Sequence, residues 1–143
     1  MEKINKKLVP RRQQRELAVQ LLFEMKIQKE ENIPFVLNYF ESRELDMDRY
    51  PYAYEIAKKY IENMDEVEAI LRENIHSWKV ERVGKTEISA IRVATVEMLY
   101  FDDVPPAVSI NEAVEIAKKF SDEKSYRFVN KVLKNVLEAI KEI

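Results

Sequence analysis

The stretch Val108-Ser109-Ile110-Asn111-Glu112-Ala113-Val114-Glu115-Ile116-Ala117-Lys118-Lys119-Phe120 decides the fold of this chain. Ser109 followed three residues later by Glu112 is a capping-box pattern, in which a hydroxyl and a carboxylate satisfy each other's orphan backbone N–H groups at a helix start. The pattern predicts a helix that opens at Ser109 and ends near Phe120. After a short break, Asp122 is the expected cap of a last helix that buries Phe128, Val129, Val132, Leu133, Val136, Leu137 and Ile140.

Upstream, the same periodicity recurs. Pro10 suits the first turn of a helix, where its missing N–H costs nothing. From there Leu17, Ala18, Leu21, Leu22 and Met25 return at three- and four-residue steps, predicting an amphipathic helix to about Lys29. Asn32 is the expected cap of a shorter helix containing Phe35, Val36, Tyr39 and Phe40. A polar loop is expected around Asp46-Met47-Asp48. A third helix is read over 52–63 and a fourth capped by Asp65. A fifth, capped by Thr86 after Trp78 and Gly84, carries Ile88, Ile91, Thr95, Met98 and Leu99 on one face. Val104-Pro105-Pro106 ends it, because tandem prolines cannot continue a helix.

Composition agrees with an all-α protein. The chain has 143 residues, enough for one well-buried core and short for two. A single glycine argues against β-hairpins and phosphate-cradling loops, both of which lean on glycine. With no cysteine, a disulfide framework and a thiolate zinc site are excluded. No apolar run approaches the roughly 20 residues of a membrane span, and a cytoplasmic protein is expected. No repeat or long linker divides the chain. The expected organisation is a basic N-terminal arm over 1–10 and an all-helical domain over 11–143.

Charge is unevenly spread. Net charge is -2, yet residues 1–15 hold six cations (Lys3, Lys6, Lys7, Arg11, Arg12, Arg15) against Glu2, leaving the other 128 residues at -7. A basic arm on an acidic body points to a localised anion site rather than general adhesion to nucleic acid. On a helix Arg11, Arg12 and Arg15 lie three and four apart and are expected on one side. Guanidinium groups match phosphate geometry and stack on bases, and Gln13 and Gln14 add neutral groups for base edges. A solvated basic tail explains the same pattern equally well. The cost of positive charge at a helix N-terminus favours the binding reading, since a bound phosphate removes it. Phe128, just after Lys124 and Arg127, reads first as core, with base stacking as the alternative, and Tyr50, Tyr52, Tyr54 and Tyr60 divide the same way. Catalysis finds no support. His76 is the one histidine, no nucleophile is paired with it, and Asp102-Asp103 reads as a solvated turn. No cofactor or metal is expected.

The chain resembles the NusB family of bacterial transcription antitermination proteins. Residues 110–120 and Phe128-Val129-Asn130-Lys131-Val132-Leu133 are similar to the family's I-N-E-A-V-E-L-A-K-x-F and F-V-N-G-V-L patterns. Trp78 through Arg82, Glu87, Ile91-Arg92-Val93-Ala94 and Glu97-Met98-Leu99 resemble its central segment. Arg11-Arg12, Arg15 and Ala18-Val19-Gln20 resemble its arginine-rich first helix. The resemblance implies a seven-helix domain of two packed bundles. It also implies binding of boxA-type single-stranded RNA together with NusE, the ribosomal protein that doubles as a transcription factor. That complex acts on RNA polymerase, notably during ribosomal RNA synthesis. By this resemblance Arg11, Arg12 and Arg15 hold the RNA backbone, Gln13, Lys124, Arg127, Phe128 and Lys131 complete the surface, and Glu87 falls in the NusE-binding region. Ser121 and Lys131 stand where the family usually has glycine.

Two other readings stay open. One is a protein–protein adaptor whose RNA contact is incidental. The other is a detached NusB-like domain of a ribosomal RNA methyltransferase, disfavoured on the expectation that the chain ends at Ile143. The resemblance also admits a homodimer.

Overall fold

A computed structural model describes residues 7–75, 85–120 and 123–143. Among these residues all regular structure is helical. The α-helices are α1 (Arg11–Gln28), α2 (Ile33–Ser42), α3 (Pro51–Glu62), α4 (Met64–Asn74), α5 (Lys85–Tyr100), α6 (Pro106–Phe120) and α7 (Glu123–Lys141).

α5 is the central helix. It packs against α1 and α3 and against α6 and α7, while α6 and α7 pair with each other and α4 reaches α7. One continuous core results, with Leu21, Leu22 and Met25 of α1, Ile56 and Tyr60 of α3, Ile91 of α5 and Leu133 of α7 all fully buried. Apolar residues recurring at helical spacing on each element supply this core. Burying so many branched and aromatic side chains, each worth roughly 1.5–3 kcal/mol, is the main stabilising term.

Local chemistry sets the helix ends. Pro10 is the residue before α1 rather than within its first turn, and its carbonyl accepts from the Gln14 N–H at 3.1 Å. α1 stops at Lys29, which takes a left-handed conformation, φ 57°. Asn32 caps α2 as expected, its Oδ1 accepting from the Phe35 N–H at 2.8 Å. Met47–Arg49, expected as loop, is a 3-10 turn closed by the Asp46 side chain, which accepts from the Asp48 N–H at 3.0 Å.

Three expected caps are corrected. α4 begins at Met64 after Asn63, so Asp65 lies inside its first turn, where its charge complements the helix dipole without capping. α5 already runs at Lys85, which places Thr86 within the helix. α6 begins three residues before Ser109. The Pro105 carbonyl accepts from Val108 and Ser109 N–H groups at 2.9 and 3.3 Å, and Pro106 fills the first helical position, where a proline's fixed φ is already helical. The prolines therefore start α6 rather than merely ending α5. Ser109 Oγ is buried without a hydrogen-bond partner among the described residues. The proposed cap Asp122 and residues His76, Trp78, Arg82, Gly84 and Ser121 lie outside the described residues.

The described part of the basic arm is tied down. Val9 is buried, its N–H donates to the Arg49 carbonyl at 3.0 Å, and Arg49 Nε donates back to the Lys7 carbonyl at 3.0 Å. The chain thus enters α1 along a fixed path. Among the described residues no helix is long and apolar enough to cross a membrane.

Candidate nucleic-acid interface

The three arginines at the start of α1 have three different environments. Arg11 is exposed, and its guanidinium carbon lies 4.2 Å from the centroid of the Tyr52 ring on α3. Arg12 is also exposed but is forked onto Glu112 of α6, with Nε 2.8 Å from Oε2 and Nη2 2.9 Å from Oε1. Hydrogen bonding to Arg12, foremost, and its charge hold the Glu112 carboxyl below the usual range.

Arg15 is not on the surface with the other two. It is 4% exposed and lies under the helix, Nε 3.0 and 3.1 Å from the two carboxylate oxygens of Glu97, with Nη2 at 2.8 Å. Glu97 on α5 is 1% exposed. Its carboxylate also accepts the Tyr52 hydroxyl. Burial, first, and this carboxylate push the Tyr52 phenol well above its ordinary pKa, so it remains a donor. For Arg15 burial opposes the charged form, but the bonds and charge of Glu97 outweigh it and the guanidinium pKa rises. The expectation that all three arginines share one exposed side is corrected: Arg15 follows the apolar stripe of α1 inward, and α5 supplies the carboxylate that lets it stay charged there.

Gln14 is likewise internal. Its Nε2 donates to the Val9 carbonyl at 2.8 Å, and its Oε1 accepts from the Tyr52 and Ala53 N–H groups at 2.8 and 3.1 Å. It ties the arm to the first turn of α3 and, at 3% exposed, is closed off from a base. Gln13 is exposed. A groove of about 500 Å³ is lined by Leu8, Arg11, Tyr52, Glu55, Phe101 and Asp103, among others.

The second set of expected residues lies on α7. Lys124, Arg127 and Lys131 are exposed, and their three- and four-residue spacing makes one cationic stripe along the helix. Phe128 is half-buried and packs against the core, the first of the two roles expected for it. Between α6 and α7 runs a mainly apolar groove of about 550 Å³, lined by Ile110, Asn111, Val114, Tyr126, Arg127 and Lys134, among others. α6 connects the two regions through the Arg12–Glu112 pair and a Lys119–Glu16 pair at 3.0 Å.

Glu87 is 4% exposed and sits in the first turn of α5. It is mostly buried within the fold. Among the described residues no group of three or more acidic or imidazole side chains could hold a metal ion.

Sequence reading missed the pairing of Arg15 with Glu97 and the use of Glu112. The signal for the first is a carboxylate near the end of the largely apolar stretch 88–99, since a buried charge requires a counter-ion. Nothing in the local sequence separates a capping Glu112 from one that reaches a helix 100 residues away.

A model of the NusB family matches residues 12–138. The transcription antitermination protein NusB of Clostridium novyi (strain NT) is 37% identical over 131 residues, 90% of this chain and 98% of that protein. NusB of Listeria innocua serovar 6a is 36% identical over 126 residues, 88% of this chain and 94% of that protein. Among solved structures, T. maritima NusB superposes with a TM-score of 0.77 at 26% identity, covering 95% of this chain and 99% of that one. A chain from the crystal structure of antitermination factors NusB and NusE in complex with dsRNA shares the fold, with a TM-score of 0.76 at 24% identity, covering 90% of this chain and 96% of that one. The curated relatives are named as transcription antitermination proteins, not enzymes. With the family model spanning most of the chain, and with the arginine-led α1 packed on α3 and α5, this chain belongs to the NusB family.

Proposed function

We propose that the protein is a cytoplasmic transcription antitermination factor that binds boxA-type single-stranded RNA together with NusE. The complex acts on RNA polymerase and supports processive transcription, notably of ribosomal RNA operons. The observation that carries this reading is the exposure of Arg11 and Arg12 on the first turn of α1 in a chain of this family. Arg11, Arg12 and Gln13 supply the first part of the RNA surface, and Lys124, Arg127 and Lys131 the second, with Phe128 at its edge. Arg15 acts from beneath, by fixing the helix and ring that carry Arg11. Glu87, in the first turn of α5, belongs to the region that meets the protein partner.

Phosphate contacts from these cations fix the strand, and base contacts select its sequence. Neutralising about three to five phosphates gives a log–log salt slope of roughly -2 to -3.5 for a single strand.

Fluorescence anisotropy of a short labelled boxA-type RNA tests the proposal, with a scrambled strand and a duplex as controls, each with and without NusE. The expected result is sequence-dependent binding that tightens when NusE is added. Equal, feeble binding to every RNA in both conditions overturns the RNA reading and leaves a protein-only adaptor. A salt slope near zero removes the phosphate contacts.

A further inference from the structure

We propose that Tyr52 is a positioning residue for RNA recognition, its ring holding the Arg11 guanidinium in place while leaving the arginine's N–H donors to an incoming phosphate. The inference rests on the RNA-binding reading above. It goes further by assigning a role to a residue outside the cationic set.

The two surface arginines are held differently. Arg12 gives Nε and Nη2 to Glu112, so a phosphate must displace a carboxylate before it gains the same donors. Arg11 instead lies over an aromatic face, 4.2 Å from its centroid. A ring attracts a guanidinium through its quadrupole and has no lone-pair oxygen to occupy the N–H groups. Arg11 is therefore oriented without being spent. A long side chain ordered in advance loses less freedom on binding, which is how preorganisation raises affinity.

The ring itself is well fixed. Its hydroxyl is donated to the Glu97 carboxylate, which Arg15 also grips. The Tyr52 backbone N–H is donated to Gln14 Oε1 at 2.8 Å. Phe101 meets the ring edge-on, with centroids 5.3 Å apart and planes at 73°. Arg15 approaches the same ring at 5.4 Å, so Tyr52 links the buried ion pair to the exposed arginine. Glu55 and Asp103 line the groove beside the ring, and their charge turns a phosphate away from it. The anion meets Arg11 from its solvent side, opposite the tyrosine.

The test is a double-mutant cycle read by anisotropy of a boxA-type RNA oligonucleotide, with helicity and Tm recorded for each variant. R11A is expected to weaken binding about three- to tenfold, and Y52L about two- to fivefold, the span of an exposed cation–π contact. R11A/Y52L should be no weaker than R11A alone. Y52F, which keeps the ring and loses the hydroxyl, should bind nearly as wild type even where its Tm falls. A purely structural role for Tyr52 predicts the reverse: Y52F binding tracks stability, and Y52L costs as much in the R11A background as in the wild type. Either of those results overturns the proposal. Wild-type affinity in Y52L alongside a weakened R11A overturns it too. If R11A itself binds normally, it is Arg11's part in the RNA site that fails. Should Y52L not fold, Y52M refills the space without a π face and carries the same expectations. In the unmutated protein, the Arg11 side-chain protons should show an upfield ring-current shift by NMR, and random-coil positions would sink the proposal outright.

Discussion

Arg12 and Glu112 meet across the α1–α6 interface in a two-pronged pair, at 2.8 and 2.9 Å, although 100 residues separate them. The arginine is exposed and the carboxylate mostly covered, with 57% and 14% of the side chains accessible. Such a pair adds little to stability in high dielectric. Its consequence for binding is larger, because a phosphate and Glu112 compete for the same donors. Glu112→Gln is expected to tighten RNA binding a few-fold with Tm nearly unchanged, and adding Arg12→Ala should erase the gain. Weaker binding by E112Q would show instead that the carboxylate aims Arg12 at the RNA.

The Arg15–Glu97 pair behaves differently. Both groups are buried, so removing one leaves the other charged and unpaired in a poorly solvated place. Arg15→Ala should cost about 3–5 kcal/mol by urea unfolding. Arg15→Met combined with Glu97→Leu should recover much of that loss, since an apolar pair of similar volume avoids the desolvation penalty. If R15A unfolds at the wild-type urea concentration while binding RNA poorly, Arg15 contacts RNA directly and its burial is opened on binding.

These two pairs show what was legible in the sequence. The helices were readable because Leu17 to Met25, or Phe128 to Ile140, carry their apolar face in their own spacing. The exposed Arg11 and Arg12 were readable because they precede that face. Arg15 was misplaced because a cation at three- and four-residue steps from Arg12 and Arg11 is equally in step with Ala18, Leu22 and Met25. Its side depends on Glu97, a residue 82 positions away. The expected caps fail for a local reason: Thr86, Asp65 and Ser109 are good capping types, but α5 already runs at Lys85, α4 starts at Met64 and Pro106 starts α6, so all three lie inside their helices. Tertiary pairing set the place of Arg15, whereas the local proline pair set the start of α6.

Acid should also test a part-buried carboxylate. Glu68 on α4 takes two cations, Arg92 of α5 at 2.9 Å and Lys26 of α1 at 3.1 Å. Burial raises its pKa, but the charge and hydrogen bonds of Arg92 and Lys26 outweigh that, and the net shift is downward from 4.5. A carboxyl whose folded pKa is lowered stabilises the fold above its unfolded pKa and loses that contribution as pH falls through the folded value. Tm should therefore drop as pH is taken from 6 to about 3, and more steeply in the wild type than in Glu68→Gln. Parallel pH profiles for the two proteins would mean that the cluster contributes nothing to folding.

Ser109 separates the two accounts of α6 most directly. A capping-box serine replaced by alanine costs about 0.5–2 kcal/mol, because an orphan N–H loses its acceptor. The structure instead puts Ser109 inside the helix, 1% exposed, with a hydroxyl that meets no hydrogen-bond partner among the described residues and with Glu112 committed to Arg12. Removing a buried, unmatched hydroxyl relieves a desolvation cost, and alanine is also the better helix former. Ser109→Ala is thus expected to leave stability unchanged or raise it by up to about 1 kcal/mol, with RNA binding unaltered. Urea unfolding at neutral pH decides: a loss of about 1 kcal/mol would restore the capping box, and with it a start for α6 at Ser109 in solution.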